Sequence, residues 1–269
     1  MHYTGIKNFI LGGGLMVKKI TVLFILLSIF TTTAMAASAL EREIKGDLIG
    51  FSGKIGVFAK NLKTGKIFAF NQDVVFPTAS TSKLVVALAT YKYLYPSAGI
   101  DKKNEYDQEI KLMMTVSDNG SFQELVDEMD TNKKDALVKV QKDLHLRLTQ
   151  IHSDNAFNQY GYHSITTPYE MASVFENIYS NKYPNKEKSD ILKNELANSI
   201  FHDEIPRYMQ TPVLHKVGEL DGVLCDVGVV QDGHDPILIS FYTDTADHVY
   251  SSNFIATESG KLYNALRRK

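Results

Sequence analysis

Phe76-Pro77-Thr78-Ala79-Ser80-Thr81-Ser82-Lys83-Leu84-Val85-Val86-Ala87-Leu88-Ala89 starts with residues that favour a helix start and then runs almost wholly apolar. A helix that is apolar nearly all round has no face to give to water and is expected to be buried. Its first turn nevertheless carries Ser80 and Lys83. At a spacing of three they share one side of a helix, so that the amine reaches the hydroxyl. A lysine at the root of a buried helix is costly to desolvate unless something there uses it. The residue types suit a serine nucleophile whose proton passes to a lysine of depressed pKa. The plain alternative is a serine that only caps the helix. Ser-x-x-Lys is a short pattern, but no other serine of the chain has a lysine three places later.

The chain has 269 residues, 44% hydrophobic and 22% charged, with a formal net charge of -2. That length suffices for one sizeable core or two closely packed lobes. The near-neutral balance gives no electrostatic basis for nucleic acid or an acidic membrane surface as partner. Lys18-Lys19, the apolar run Ile20 to Phe30 and the small residues Ala34-Met35-Ala36 form the n-region, h-region and cleavage site of an export signal. A secreted or extracytoplasmic location is therefore expected, with 1–36 removed and 37–269 as the mature domain. The apolar run is short for a retained membrane anchor, and no cysteine follows it to carry lipid. Residues 1–15 fit no targeting pattern, so Met16 is the expected true start. Cys225 is the single cysteine, without a basic neighbour in sequence, and reads as a buried, inert thiol.

Beyond the signal, Leu40 to Ile49 has helical spacing. Lys54–Ala59 and Lys66–Phe70 then read as two strands around the loop Asn61-Leu62-Lys63-Thr64-Gly65. Helical patterns follow over Glu105–Val116, Ser121–Met129, Lys133–Leu144, Pro168–Tyr179 and Lys186–Ile200, with a break at Ile205-Pro206. Leu144 to Thr167 has no clear period; loops of that length are usually functional or disordered. Strands return at Val213–Val217, Gly222–Val230 and Pro236–Tyr242, before a closing helix over Asn253–Arg267. The order predicts an α/β (α+β) fold: one sheet built from both chain ends, flanked by helices, with an all-α lobe over about 78–204 inserted.

Two further short strings complete a pattern. Ser117-Asp118-Asn119 ends one predicted helix and precedes another, and Lys216-Val217-Gly218 lies on the first late strand. With Ser80 and Lys83 they give the ordered set S-x-x-K, S-D-N and K-x-G. On these motifs, on the phrase F-P-x-x-S-T-x-K and on the helix start Thr166-Thr167-Pro168, the chain resembles the class A β-lactamases and related penicillin-recognising, active-site serine hydrolases over nearly all of its mature length. The resemblance implies an antiparallel sheet beside a helical lobe, and roles for named residues. Ser80 would be acylated and Lys83 would be its proton partner. Ser117 would shuttle a proton to the leaving nitrogen, Asn119 would bind the substrate's amide side chain, and Lys216 would supply positive potential near Ser117. Gly218 and Glu219 belong to the substrate-binding strand, and the backbone N–H groups of Ser80 and Glu219 would form the oxyanion hole. Two lysines beside one serine are also expected to depress each other's pKa.

Two strings compete with these. Ser153-Asp154-Asn155 repeats S-D-N in the long loop, where a polar turn is expected. Tyr179-Ser180-Asn181 resembles the Tyr-x-Asn of related esterases, but its place at a helix end suits a C-cap.

Other positions depart from the family pattern. No glutamate occurs between Glu128 and Glu170, where class A enzymes hold the one that activates water for deacylation. Alignment of Arg147-Leu148 and of Thr166-Thr167-Pro168 brings His152, Ser153 and Asp154 to that place, so Asp154 or His152 is the candidate substitute base. Val217 replaces the hydroxyl residue of Lys-Thr/Ser-Gly, and Cys225 falls where many members have an arginine. Losing a donor and a charge weakens binding of a β-lactam carboxylate by roughly a few kcal/mol. His202 and Arg207 are the remaining candidates to reach the site.

The expected activity is that of an exported β-lactamase-like serine hydrolase working through an acyl-serine on a β-lactam or peptidoglycan-like small molecule. It needs no cofactor and no metal, since the eight histidines have no paired spacing. A monomer is expected. The alternatives are a cell-wall D-Ala peptidase or penicillin-binding protein with slow deacylation, and a non-catalytic cell-envelope binding module of the same fold. N-terminal sequencing of the exported protein should begin at Ala37; a peptide from residues 1–15 in the precursor would contradict a start at Met16.

Overall fold

The computed structural model describes residues 39–268; the segment read as an export signal, with Met16, lies outside the described residues. A first helix, α1 (39–49), leads into the hairpin of β1 (Lys54–Asn61) and β2 (Ile67–Phe70). Asn61 shapes the turn. Its Oδ1 accepts from the amides of Lys63 and Thr64, both at 2.9 Å, and its Nδ2 donates to the carbonyl of Leu266 at 3.0 Å. One buried side chain thus closes the hairpin and ties it to the C-terminal helix. At the other end of the chain come β5 (Val213–Leu220), β6 (Val223–Val230), β7 (Ile237–Asp244) and α9 (His248–Leu266).

The two ends make a single antiparallel sheet of order β2-β1-β7-β6-β5. The join is the β1–β7 ladder, from Lys54 opposite Asp244 to Asn61 opposite Ile237. Both faces are covered, and the period of two along a strand sorts side chains between them. Ile55, Val57 and Ala59 of β1 and Ile237, Ile239 and Phe241 of β7 pack with α1 and α9. Phe58, Cys225, Val227, Val229 and Tyr242 face the helical region instead. The expected sheet from both chain ends is therefore the observed one.

The helical region begins after a short strand, β3 (Phe76–Pro77), with a 3-10 turn at Ala79–Thr81 and the helix α2 (Ser82–Ala89). Then follow α3 (Ile100–Thr115), α4 (Asn119–Asn132), α5 (Ala136–Asp143) and α6 (Asp154–Tyr160). The short strand β4 (Ile165–Thr166) pairs with β3 and leads to α7 (Pro168–Tyr179) and α8 (Lys186–Ala197). Every residue of α2 is buried, as its composition predicts. Its start differs from expectation. Pro77 closes a strand rather than opening a helix, and Thr78 gives no side-chain cap. Thr78 is committed to β4's neighbour: its amide donates to the carbonyl of Ser164 at 3.0 Å. Ser80 consequently sits in the 3-10 turn ahead of α2.

The aperiodic stretch after Leu144 also holds more structure than its sequence suggests. Ser153-Asp154-Asn155 is a helix start and not a polar turn: Ser153 Oγ accepts from the amide of Ala156, and Gly161 ends α6 at a φ of 78°. A seven-residue helix is too short to display a period and is set by its caps. Tyr179-Ser180-Asn181 does end a helix, with Asn181 in the left-handed region. The start of the long loop is clamped by buried Glu170 of α7. Its carboxylate accepts from the amides of Arg147 (2.7 Å), Leu148 (3.0 Å) and Thr149 (2.7 Å) and from the Thr149 hydroxyl (2.6 Å). Glu170→Ala leaves these donors without an acceptor and should cost about 3 kcal/mol in urea unfolding. A loss below about 0.5 kcal/mol would show that the clamp is dispensable.

Candidate active site

Ser80 is held by its neighbours more than by its own side chain. Thr81 Oγ1 lies 2.6 Å from the Thr78 carbonyl and 2.7 Å from Tyr242 Oη, which pins the turn to β7. Ser82 Oγ donates to the Ala79 carbonyl at 2.8 Å. Ala79 itself has a φ of 44°, a left-handed conformation that alanine seldom adopts. Strain of this kind, over-determined by surrounding bonds, clusters at functional sites. Ser117 is the second such residue, with a φ of 57° between α3 and α4. Asp118 follows it and caps α4, accepting from the Ser121 amide at 2.7 Å. That bond, first among several, holds its carboxyl below the usual range.

One helical turn from Ser80, Lys83 Nζ lies 2.9 Å from Ser80 Oγ, 2.9 Å from the Ser117 carbonyl and 2.6 Å from Asn119 Oδ1. Two of these three partners can only accept. A neutral amine gives them its N–H bonds with the lone pair left over, and Ser80 is the partner able to donate to that lone pair. Burial pushes Lys83 down to about 8, partly offset by Asp118. Lys216 arrives from β5. Its Nζ lies 2.9 Å from Ser117 Oγ and 2.7 Å from the Val217 carbonyl, and it is pushed down to about 7. Burial is the largest cause in both lysines, and repulsion from Lys83 comes second for Lys216. The expected mutual depression holds in one direction only: Lys83 lowers Lys216, while Lys216 is not among the causes at Lys83.

Gly218 contributes by having no side chain. A Cβ there would stand 2.8 Å from the amide nitrogen of Ser80 and 2.9 Å from Cys225 Sγ. The bare backbone lets β5 lie against the nucleophile turn, next to the Ser80 amide. The cleft in front of Ser80 has a volume of about 250 Å³ and is lined by Lys83, Asn119, Phe122, His163 and Glu219 among others. Glu219 is exposed, with Oε1 3.2 Å from His248 Nε2.

The structure thus brings together Ser80, Lys83, Ser117, Asn119, Lys216, Gly218 and Glu219. It does not bring in His152 or Asp154: neither lines the cleft. His152 turns to Asp130, with 3.2 Å between Nε2 and Oδ2, and Asp154 is 96% exposed at the start of α6. Counting along the loop misplaces them because α6 takes up residues that the alignment spread out. Arg207 binds Asn253 and Ser252 rather than the cleft. Val217 is buried in the core beside α9, and Cys225 Sγ donates to the carbonyls of Thr78 (3.3 Å) and Gly218 (3.4 Å). Burial pushes that thiol up, in keeping with an inert residue.

Two features had no sequence signal. His163 lines the cleft from a stretch without a period. Beside Lys216 in sequence, His215 is fully buried, its Nδ1 3.0 Å from Asp226 Oδ1 and its Nε2 2.9 Å from the Phe201 carbonyl. Nearby Glu204, buried and close to Asp226, is pushed up to about 7.

This fold has solved counterparts. The TLA-1 extended-spectrum β-lactamase shares 18% identity over 85% of this chain and 98% of its own, with a TM-score of 0.73. PBP-A shares 20% over 84% of this chain and 95% of its own, with a TM-score of 0.71. A class A β-lactamase from Mycobacterium abscessus shares 16% over 87% and 98%, with a TM-score of 0.69. No curated protein matches the chain. At these identities the likeness defines the fold, that of class A β-lactamases and PBP-A. The profile of the beta-lactamase enzyme family matches residues 39–98 and 97–266, and the chain belongs to that family.

The depressed lysine has a consequence for stability. Between about 8 and the ordinary value of 10.5, the unfolded chain holds a proton on Lys83 that the folded chain lacks. Stability therefore rises with pH across that window, and the full penalty of burying the charge is present below it. Lys83→Met should flatten the rise in urea midpoint between pH 8 and 10 relative to the parent; parallel curves would mean that the amine is not depressed.

Proposed function

We propose that this chain is an active-site serine hydrolase that opens β-lactam or related acyl-amide bonds by acylating Ser80. The observation that carries the reading is the Lys83 amine, desolvated to about 8 and 2.9 Å from Ser80 Oγ, with the Ser117 carbonyl and Asn119 Oδ1 as its other partners. Ser80 Oγ attacks the carbonyl carbon while Lys83 takes its proton. Negative charge builds on the carbonyl oxygen between the amides of Ser80 and Glu219, where fixed donors stabilise it only as it develops. The C–N bond then breaks. Ser117 gives its hydroxyl proton to the leaving nitrogen and takes in turn the proton that Lys83 holds, 3.4 Å away, while Lys216 at 2.9 Å lends positive potential beside it. Asn119, at the cleft and bonded to Lys83, holds the amide side of the substrate. No step calls for a metal or cofactor. The substrate is a β-lactam or a peptidoglycan-like acyl amide met outside the cytoplasm, after cleavage behind Ala36.

A second reading is a penicillin-binding protein that deacylates slowly. What favours it is that neither Asp154 nor His152 lines the cleft, together with the likeness to PBP-A, a mutant of which is described as an acyl-enzyme complex with penicillin G. A fluorescent penicillin and nitrocefin, applied to the protein and to Ser80→Ala, separate the two. Turnover of nitrocefin that is lost in Ser80→Ala supports hydrolysis, and lasting label without turnover supports the second reading. Neither signal, with no reaction toward a fluorophosphonate probe, leaves the non-catalytic binding module. Acylation should speed up with pH to a plateau with its midpoint near 8, the value for Lys83. Lys83→Met should slow it by about 10³-fold. An acylation rate independent of pH and of Lys83 would remove the lysine from the mechanism.

A further inference from the structure

The β3–β4 ladder runs toward the nucleophile. Phe76 is opposite Thr166 and Pro77 opposite Ile165, and the Thr78 amide continues the pairing by donating to the Ser164 carbonyl at 3.0 Å. His163 is the residue that precedes Ser164 at this end of the ladder, as Ala79 and Ser80 follow Thr78. His163 lines the same cleft as Ser80, Lys83 and Asn119.

Helix α6 holds the imidazole from two sides. Asp154 Oδ1 is 3.6 Å from its Nδ1, and the Phe157 ring stacks on it with centroids 4.5 Å apart and planes 13° from parallel. The backbone is fixed as well, since the His163 carbonyl accepts from the Ser153 amide at 2.8 Å. With Nδ1 turned to a carboxylate and one face covered, Nε2 is the nitrogen left to accept a proton. An imidazole oriented by a carboxylate beside a serine is the arrangement general-base chemistry uses. The charged groups around it are Asp154 on α6 and, lining the same cleft, Lys83 and Glu219.

We propose that His163 is the base that activates water for hydrolysis of the Ser80 acyl-enzyme, with Asp154 as a positioning residue that faces its Nδ1. The proposal rests on the acylation of Ser80 put forward above. In this step a water oxygen attacks the ester carbonyl carbon as its proton passes to Nε2. The bond from that carbon to Ser80 Oγ then breaks, and the proton returns to Ser80 Oγ. The product is a free carboxylic acid and the enzyme is restored. Asp154, expected from sequence to act directly, acts through the histidine that it faces.

The test follows penicillin G by stopped flow and by intact mass, in the parent, His163→Ala, Asp154→Asn and Ser80→Ala proteins, with far-ultraviolet dichroism checking the fold. Both loop residues are exposed, so the variants should fold. His163→Ala should acylate within about twofold of the parent and deacylate about 100-fold or more slowly, so that the acyl adduct accumulates. Asp154→Asn should slow deacylation about tenfold while leaving the acylation rate within about twofold of the parent. Deacylation of His163→Ala at the parent rate, or an Asp154→Asn variant that slows acylation and deacylation alike or neither, overturns the assignment of the respective residue. A parent protein that stays acylated overturns the base while leaving acylation of Ser80 intact. Absence of any Ser80-dependent adduct removes the hydrolase reading itself, and the base with it.

Discussion

The site depends on keeping one amine dry. Lys83 stands at the foot of a helix whose every residue is buried, 2.9 Å from Ser80 Oγ. In water that amine would hold its proton at neutral pH and could not take another. Burial lowers the cost of giving the proton up, and the carbonyl and amide oxygens around it fix the direction of the remaining lone pair. The apolar run after Lys83 is therefore part of the chemistry. Leu84 to Ala89 fill the core between sheet and helices, and in doing so exclude the solvent that would otherwise recharge the lysine.

A dry amine is of use only if the hydroxyl beside it stays in place, and that is the work of the sheet. Tyr242 on β7 reaches Thr81, Cys225 on β6 reaches the Thr78 carbonyl, and Gly218 on β5 lets its strand lie against the Ser80 amide. Three adjacent strands thus grip one short turn. The left-handed backbone at Ala79 persists because these contacts leave the turn no other shape. On the helical side, the same logic holds Ser117 between the end of α3 and the cap of α4.

Much of this was legible from residues alone. Alternation and turn residues located the sheet strands. The motif residues just before and on α2, at the α3–α4 junction and on β5 come together in the structure, because each lies next to an element with a strong pattern. The failures share a cause. Thr78 looked like a helix cap, but its amide was already used by Ser164, a partner 86 residues away. The long loop carried no period, so the position of Asp154 was counted rather than derived, and α6 upset the count. His163 and the His215–Asp226 pair depend on contacts between distant segments, which spacing cannot encode.

The ladder between β1 and β7 joins residues 54–61 to residues 237–244. During synthesis, the first strand must wait for almost the whole chain before its partner emerges. Until then one edge of the hairpin stays open, a template for aggregation that a chaperone or a translocation channel would have to cover. Contacts this far apart make closure of the sheet slow compared with formation of the helices. Because β5 and β7 both grip the Ser80 turn, a nascent chain has no cleft, and a formed cleft marks a finished molecule.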